Sequence, residues 1–146
     1  MDRRLVERIA VHERSDEGSI LPLALGYAAI ALLLIYVCVC ATSLYLGQKE
    51  LDAAADAAAL AGSDGFSLTL TERGPTPQLN SASVRDQALA LVEISAIPAR
   101  VDEAFTPDGV SARVSLSTTW HPPFLAPFVP EGIPLAATAT SRTALR

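Results

Sequence analysis

An uncharged apolar run near the N-terminus constrains this chain more than any other feature. The sequence contains no Asp, Glu, Lys or Arg from Gly18 to Gln48, and Ile20 to Leu46 is almost continuously apolar. About 20 apolar residues are enough for a helix to cross the hydrocarbon core of a bilayer. A longer run is accommodated by tilting. The sequence therefore predicts a single transmembrane helix and excludes a plain soluble domain.

The basic residues beside this run predict its orientation. Lys49 is the only nearby basic residue on the C-terminal side, whereas four arginines precede the run: Arg3, Arg4, Arg8 and Arg14. Basic residues close to a membrane span are enriched on the cytoplasmic side. We therefore expect a single-pass protein of the cell membrane, with a cytoplasmic N-terminus and an extracytoplasmic C-terminal part. The predicted parts are a charged cytoplasmic tail (1–18), a transmembrane helix (19–47), an Ala-rich extension of that helix (48–62) and a small extracytoplasmic domain (63–146).

Composition excludes several classes of function. The net charge is −5, so no basic surface is available to follow a phosphate backbone, and we expect no nucleic-acid partner. The only histidines, His12 and His121, would lie on opposite sides of the membrane. No zinc motif and no phosphate-binding Gly loop is present. We expect no enzyme activity, no catalytic, cofactor-binding or metal site, no cofactor and no small-molecule substrate.

The Ala-rich segment after the apolar run continues the helix. Alanine has the highest helix propensity, and it dominates from Gln48 to Ala61, while Gly62 and Gly65 are stop signals. Leu51, Ala55 and Ala58 fall on one side of this helix. We take these three residues as a candidate helix interface, because small side chains allow close packing against a sheet or a second helix.

The remaining residues predict a small α+β domain with an antiparallel sheet and one further helix. Residues 66–70 alternate as a short strand, 71–80 is a Gly- and Pro-rich loop, and Ser83 is placed to cap a helix that Pro98 ends. Strands are predicted at 100–106, 110–121 and 133–143, with a Pro107-Asp108-Gly109 turn after the first of them.

The segment from His121 to Pro134 is rich in Pro and Phe. It has two interpretations. It is a hydrophobic loop that folds over the sheet, or an exposed segment that proline stiffens for binding.

Two stretches together resemble a known family. One is the charged tail followed by Gly18, Ser19 and the apolar run, and the other is the Ala-Asp-Ala-Ala-Ala-Leu-Ala motif at 55–61. Over residues 16–62 the chain resembles the TadE/TadG-like family of tight-adherence (Flp) pilus-assembly proteins. The resemblance implies a membrane-anchored, minor pilin-like (pseudopilin) component of a type IV-like pilus or secretion apparatus. Its partners would be membrane lipid and other pilus-assembly or pilin-like proteins.

The resemblance also implies a processing site between Gly18 and Ser19, where prepilin peptidase would cut. Leu23 occupies the position at which pilin-like substrates carry Glu, which favours an uncut anchor. The alternative function is a bitopic membrane protein whose outer module binds an envelope partner unrelated to pili. Both alternatives place the activity in protein–protein contacts.

Overall fold

The computed structural model describes residues 20–71 and 74–142. It confirms the predicted α+β class, with a long N-terminal apolar helix, a three-stranded antiparallel sheet and one further helix. The elements are α1 (Ile20–Asp64), β1 (Ser67–Thr71), β2 (Gly74–Gln78), α2 (Ser81–Ile94), β3 (Arg100–Phe105), β4 (Ser111–Trp120) and β5 (Ile133–Arg142).

The chain divides into two compact units, residues 1–41 and 42–146. In the first unit, the described residues are helical throughout, and their side chains are almost all exposed. Helix α1 is long and apolar enough to cross a membrane. A helix that is apolar all round suits lipid, because acyl chains can cover every side of it.

The second unit is built around the sheet, whose strand order is β3-β4-β5 with both pairs antiparallel. Strand β4 is central, and its predicted alternation is observed: Ala112, Val114 and Leu116 are fully buried. Residues on the opposite face, such as Ser115, remain partly accessible. One face of the sheet therefore packs against the core while the other faces water.

Small side chains dominate that core. Alanines from α1, α2 and the sheet make up more than half of its buried hydrophobic residues, and the largest fully buried side chains are Leu51, Leu116, Val84 and Val114. Gly62 shows how close the elements lie. A Cβ at this position would be 3.0 Å from Val84 Cγ1 and 3.3 Å from Ala112 Cβ. Gly62 is thus a packing residue inside α1, and the helix continues past this predicted stop to Asp64, directly before the second predicted stop, Gly65.

The prediction of a loop at 71–80 is wrong for residues 74–78, which form β2 and pair with β1 as an antiparallel hairpin. Pro75 and Pro77 lie opposite Leu70 and Leu68 in this register. The two prolines are two positions apart, so both missing N–H groups are directed to the same side of the strand. Proline is tolerated in an edge strand where its missing N–H group would face away from the neighbouring strand.

The predicted cap of α2 is also wrong. The helix begins at Ser81, and Asn80 is its N-cap, with Asn80 Oδ1 accepting a hydrogen bond from the backbone N–H of Ala82 at 3.0 Å. The hydroxyl of Ser83 instead donates to the carbonyl of Gly65 at 2.8 Å. Ser83 therefore makes a tertiary contact instead of the capping contact that the sequence pattern predicted. The helix ends at Ile94, before the predicted stop at Pro98.

Candidate functional site

The candidate helix interface lies inside the protein's own domain. Leu51, Ala55 and Ala58 have 0–1% of their surface exposed. They belong to one cluster with Val84 of α2 and Leu116 of β4. This face of α1 therefore docks the helix onto the sheet and α2 of the same chain.

A different face of α1 stays open. Glu50, Ala53 and Ala57 are exposed, and Leu60 keeps 57% of its surface. These residues follow one another at spacings of three and four, so they form a stripe along one side of the helix. We call this stripe the outer stripe. A shallow apolar groove of about 410 Å³ adjoins it, lined on the α2 side by Leu91, Val92, Ile94, Ser95 and Ile97.

Polar contacts tie the helix to the last strand. Gln48 Nε2 donates to Asp52 Oδ1 at 2.8 Å and to the carbonyl oxygen of Ala136 at 3.0 Å. Lys49 Nζ lies 3.3 Å from Asp52 Oδ2. The hydrogen bond from Gln48, together with the hydrogen bond and charge of Lys49, lowers the pKa of the Asp52 carboxyl. Asp52 therefore stays ionised at neutral pH and orients Gln48 toward the sheet.

A second polar contact lies at the same end of the sheet, where β4 ends opposite the start of β5. Trp120 Nε1 donates to Ser43 Oγ at 3.2 Å. A Cβ on Gly47 would lie 3.5 Å from Trp120 Cδ1, in ordinary van der Waals contact. The end of β4 therefore rests on the last turns of the apolar run. The sequence analysis did not identify Ser43, Gln48 or Trp120. The one available signal was a lone Trp closing an alternating strand beside the Pro- and Phe-rich loop.

That loop does not fold over the sheet. Phe124 and Phe128 are 86% and 80% exposed, which overturns the first of its two interpretations. Pro122 is buried, whereas residues 124–131 are all exposed. His121 Nε2 lies 3.4 Å from the carbonyl oxygen of Pro130, across the base of the loop.

Strand β3 carries an ion pair on its surface. Arg100 Nε lies 3.5 Å from Asp102 Oδ1, a solvated pair on β3. Within residues 20–71 and 74–142, no three His, Cys, Asp or Glu side chains come together as a candidate metal site. Gly18, Ser19, His12 and the basic tail lie outside the described residues.

Comparison with known proteins identifies one family. Residues 18–65 match the profile described as Flp pilus-assembly TadE/G-like. The match spans 48 of the 146 residues and confirms the resemblance to this family that residues 16–62 show. The apolar α1 fits a membrane-associated protein. No curated protein and no solved structure gives a significant match.

Proposed function

From the TadE/G-like segment at residues 18–65, we propose that this protein is a membrane-anchored, minor pilin-like component of a tight-adherence pilus or secretion apparatus. It acts by helix packing and protein–protein contacts. One observation carries the proposal: the family segment coincides with helix α1, Ile20–Asp64. The part of the chain with a recognised relationship is the helix, so we assign the assembly function to the helix.

In this proposal, two faces of α1 have different roles. Leu51, Ala55 and Ala58 hold the protein's own sheet and α2, so they are already occupied. The outer stripe is the face left for a partner. Ala53 and Ala57 let another helix backbone approach closely, and Leu60 supplies apolar surface for burial at about 25 cal/mol per Å². In this proposal, a bundle of similar helices forms along the outer stripe.

The proposed location is the cytoplasmic membrane, with the N-terminus inside and residues 48–146 outside, on the basic bias of the sequence. The proposed state is the uncut anchor that retains the charged tail. Intact mass and N-terminal sequencing of the protein from membranes test the second point. Met1 as the N-terminus supports the uncut anchor, and Ser19 contradicts it.

Site-specific photo-crosslinking tests the assembly function. A photoreactive amino acid replaces Ala57 on the outer stripe and, as a matched control, Ala90, an exposed alanine on α2. Crosslinks to pilus-assembly proteins are expected from position 57 and not from position 90. Equal or absent crosslinking at both positions in cells that are building pili would refute the proposed role of the stripe.

A second candidate function has the same membrane anchor, α1, but a different protein partner. Residues 66–146 lie outside the family match, and this region presents the exposed loop with Phe124 and Phe128. The alternative is a bitopic protein whose outer module binds an envelope partner unrelated to pili. Affinity capture from cells that lack the pilus secretion ATPase separates the two. A partner that persists there supports the alternative.

A further inference from the structure

Strand β4 runs antiparallel to the part of α1 that it covers. Ala112, near the start of β4, lies beside Gly62, whereas Trp120, at its end, lies beside Gly47. The chain therefore travels along the helix toward lower residue numbers. It leaves the sheet at Trp120 and re-enters it opposite, at Ile133. The connecting loop, residues 121–132, therefore begins and ends at the end of the sheet that lies beside Ser43 and Gly47.

The Trp120–Ser43 hydrogen bond places this end of the sheet beside Ser43 of α1. Ser43 belongs to the apolar run, and Tyr45 on the same turn keeps 61% of its surface exposed. Tyrosine and tryptophan are enriched where a membrane protein meets the headgroup layer. With α1 as the proposed membrane anchor, the loop base would lie at the boundary between the bilayer and water.

The loop's own chemistry suits that boundary. From His121 to Pro130 it has no Asp, Glu, Lys or Arg. The carbonyl of Leu125 accepts hydrogen bonds from the backbone N–H groups of Phe128 and Val129 at 2.9 and 3.0 Å. A single helical turn therefore directs these three apolar side chains to one side, and Phe124 adds a fourth exposed apolar side chain.

The base of the loop is held in shape. Gly132 has a φ of +63°, and a Cβ there would lie 2.5 Å from Thr119 Cγ2 and 2.8 Å from the carbonyl oxygen of Trp120. Only glycine fits that position. Phe124 has a φ of +64°, which is costly for an aromatic residue. The Phe124 ring is nevertheless exposed to water. Burial of the ring in the folded domain therefore does not offset the conformational cost of this backbone angle.

We propose that the tip of this loop, residues 122–130, inserts into the headgroup and acyl boundary of the leaflet on the domain's side. It forms a second membrane contact besides α1. Phe124, Leu125, Phe128 and Val129 are the inserting side chains. Lipid is the occupant because the loop base lies beside the end of the apolar run, and because the tip, residues 122–130, has no Asp, Glu, Lys or Arg, while Glu131 lies at its base. Apolar and aromatic side chains on a surface element bind a membrane in this way. The proposal depends on the membrane anchor and not on pilus assembly.

Fluorescent labelling of the full chain, one copy per lipid nanodisc of phosphatidylethanolamine and phosphatidylglycerol, tests the insertion. Cys38 and Cys40 are first replaced by alanine. An environment-sensitive dye is then attached in separate variants at Phe128→Cys, Leu70→Cys and Tyr45→Cys. Leu70 is the matched control, since it is 85% exposed on the hairpin at the other end of the domain.

Dye at position 128 is expected to shift its emission to the blue and to be quenched by lipids carrying a nitroxide, as at position 45. Dye at position 70 is expected to show neither effect. The double change Phe124→Ser with Val129→Ser should reduce quenching at position 128. The matched change Leu68→Ser with Ile94→Ser, two exposed positions away from the loop, should not.

Each contrary result overturns the insertion. If the dye at position 128 has the same emission wavelength as the dye at position 70, the loop is exposed to water. A blue shift without quenching by nitroxide lipids shows protein covering the loop. Absence of quenching at position 45 would show that Tyr45 does not lie at the membrane surface. That result would refute both the insertion and the proposed anchor, because both place the membrane surface at this residue. Quenching at 45 but not at 128 leaves the proposed function intact and refutes the insertion alone.

Discussion

The indole Nε1 of Trp120 donates a hydrogen bond to Ser43 Oγ at 3.2 Å, joining two residues 77 positions apart. The bond attaches the last residue of β4 to the end of the apolar run. It thereby sets where the domain's end lies along α1. A local sequence pattern contains no information about a pairing over this separation.

Removing this bond should weaken the attachment modestly. Trp120→Phe, Ser43→Ala and the double variant form a cycle whose coupling free energy is expected near 0.5–1.5 kcal/mol, the usual net contribution of one hydrogen bond. Chemical unfolding of the full chain in detergent measures it. Thr42→Ala is the control, since Thr42 is an exposed residue on the neighbouring helix position. A coupling of zero would mean that Trp120 acts by packing alone.

The inner face of α1 should not tolerate larger side chains. Ala55→Leu and Ala58→Leu introduce bulk at positions with 1% and 0% exposure, and overpacking of this kind costs about 1–3 kcal/mol per site. Thermal unfolding is expected to shift downward for both. Ala53→Leu and Ala57→Leu, on the exposed outer stripe, should leave domain stability nearly unchanged while disturbing assembly. Equal destabilisation on both faces would contradict the assignment of the two faces.

Gly62→Ala should destabilise the domain although alanine favours a helix by about 1 kcal/mol over glycine. The new Cβ would lie 3.0 Å from Val84 Cγ1. Val84 is fully buried, so it has little room to move, and the steric cost is expected to exceed the propensity gain. Gly26→Ala is the control, because nothing lies within 4 Å of a Cβ there. A rise in the unfolding midpoint for Gly62→Ala would show that the packing gives way.

Acid should loosen the turn between β3 and β4. Hydrogen bonds from the backbone N–H of Val110, and then from the backbone N–H and hydroxyl of Ser111, lower the pKa of Asp108; the charge of Arg142 adds to this. A folded-state pKa below the unfolded value means that the stabilisation is present above the unfolded pKa. It is lost as pH falls through the folded pKa.

The measurement is the slope of unfolding free energy against pH in the acid range. Asp108→Ala should flatten this slope relative to the unmodified protein. Identical slopes for the two proteins would show that the turn contributes nothing to the acid response.

The orientation across the membrane remains a prediction from the four inner arginines. Protease added to spheroplasts should digest the domain that follows Lys49 and spare an N-terminal tag. The same protease added to inverted vesicles should remove the tag and spare the domain. The opposite pattern would reverse the proposed topology.

Local patterns in the sequence determined most of the elements, although not strand β2, which was predicted as a loop. The uncharged run and the alanines after it specify one continuous helix, because a span in lipid must satisfy its own backbone hydrogen bonds and alanine has the highest helix propensity. The alternation from Val110 to Trp120 specifies a strand, and Pro107-Asp108-Gly109 specifies the turn before it, with Gly109 at a φ of +76°. These features depend only on near neighbours, so sequence was sufficient.

Only the tertiary structure decided what each element contacts. Periodicity showed that Leu51, Ala55 and Ala58 share a face of the helix. It did not show that the sheet of the same chain covers this face, because the hydrophobic effect is non-directional and does not select the covering surface. The choice of Asn80 over Ser83 as cap followed from the contact of Ser83 with Gly65, and Gly62 became a packing residue because Val84 and Ala112 approach it. The exposure of Phe124 and Phe128, and the bond from Trp120 to Ser43, likewise depend on distant parts of the chain meeting in space.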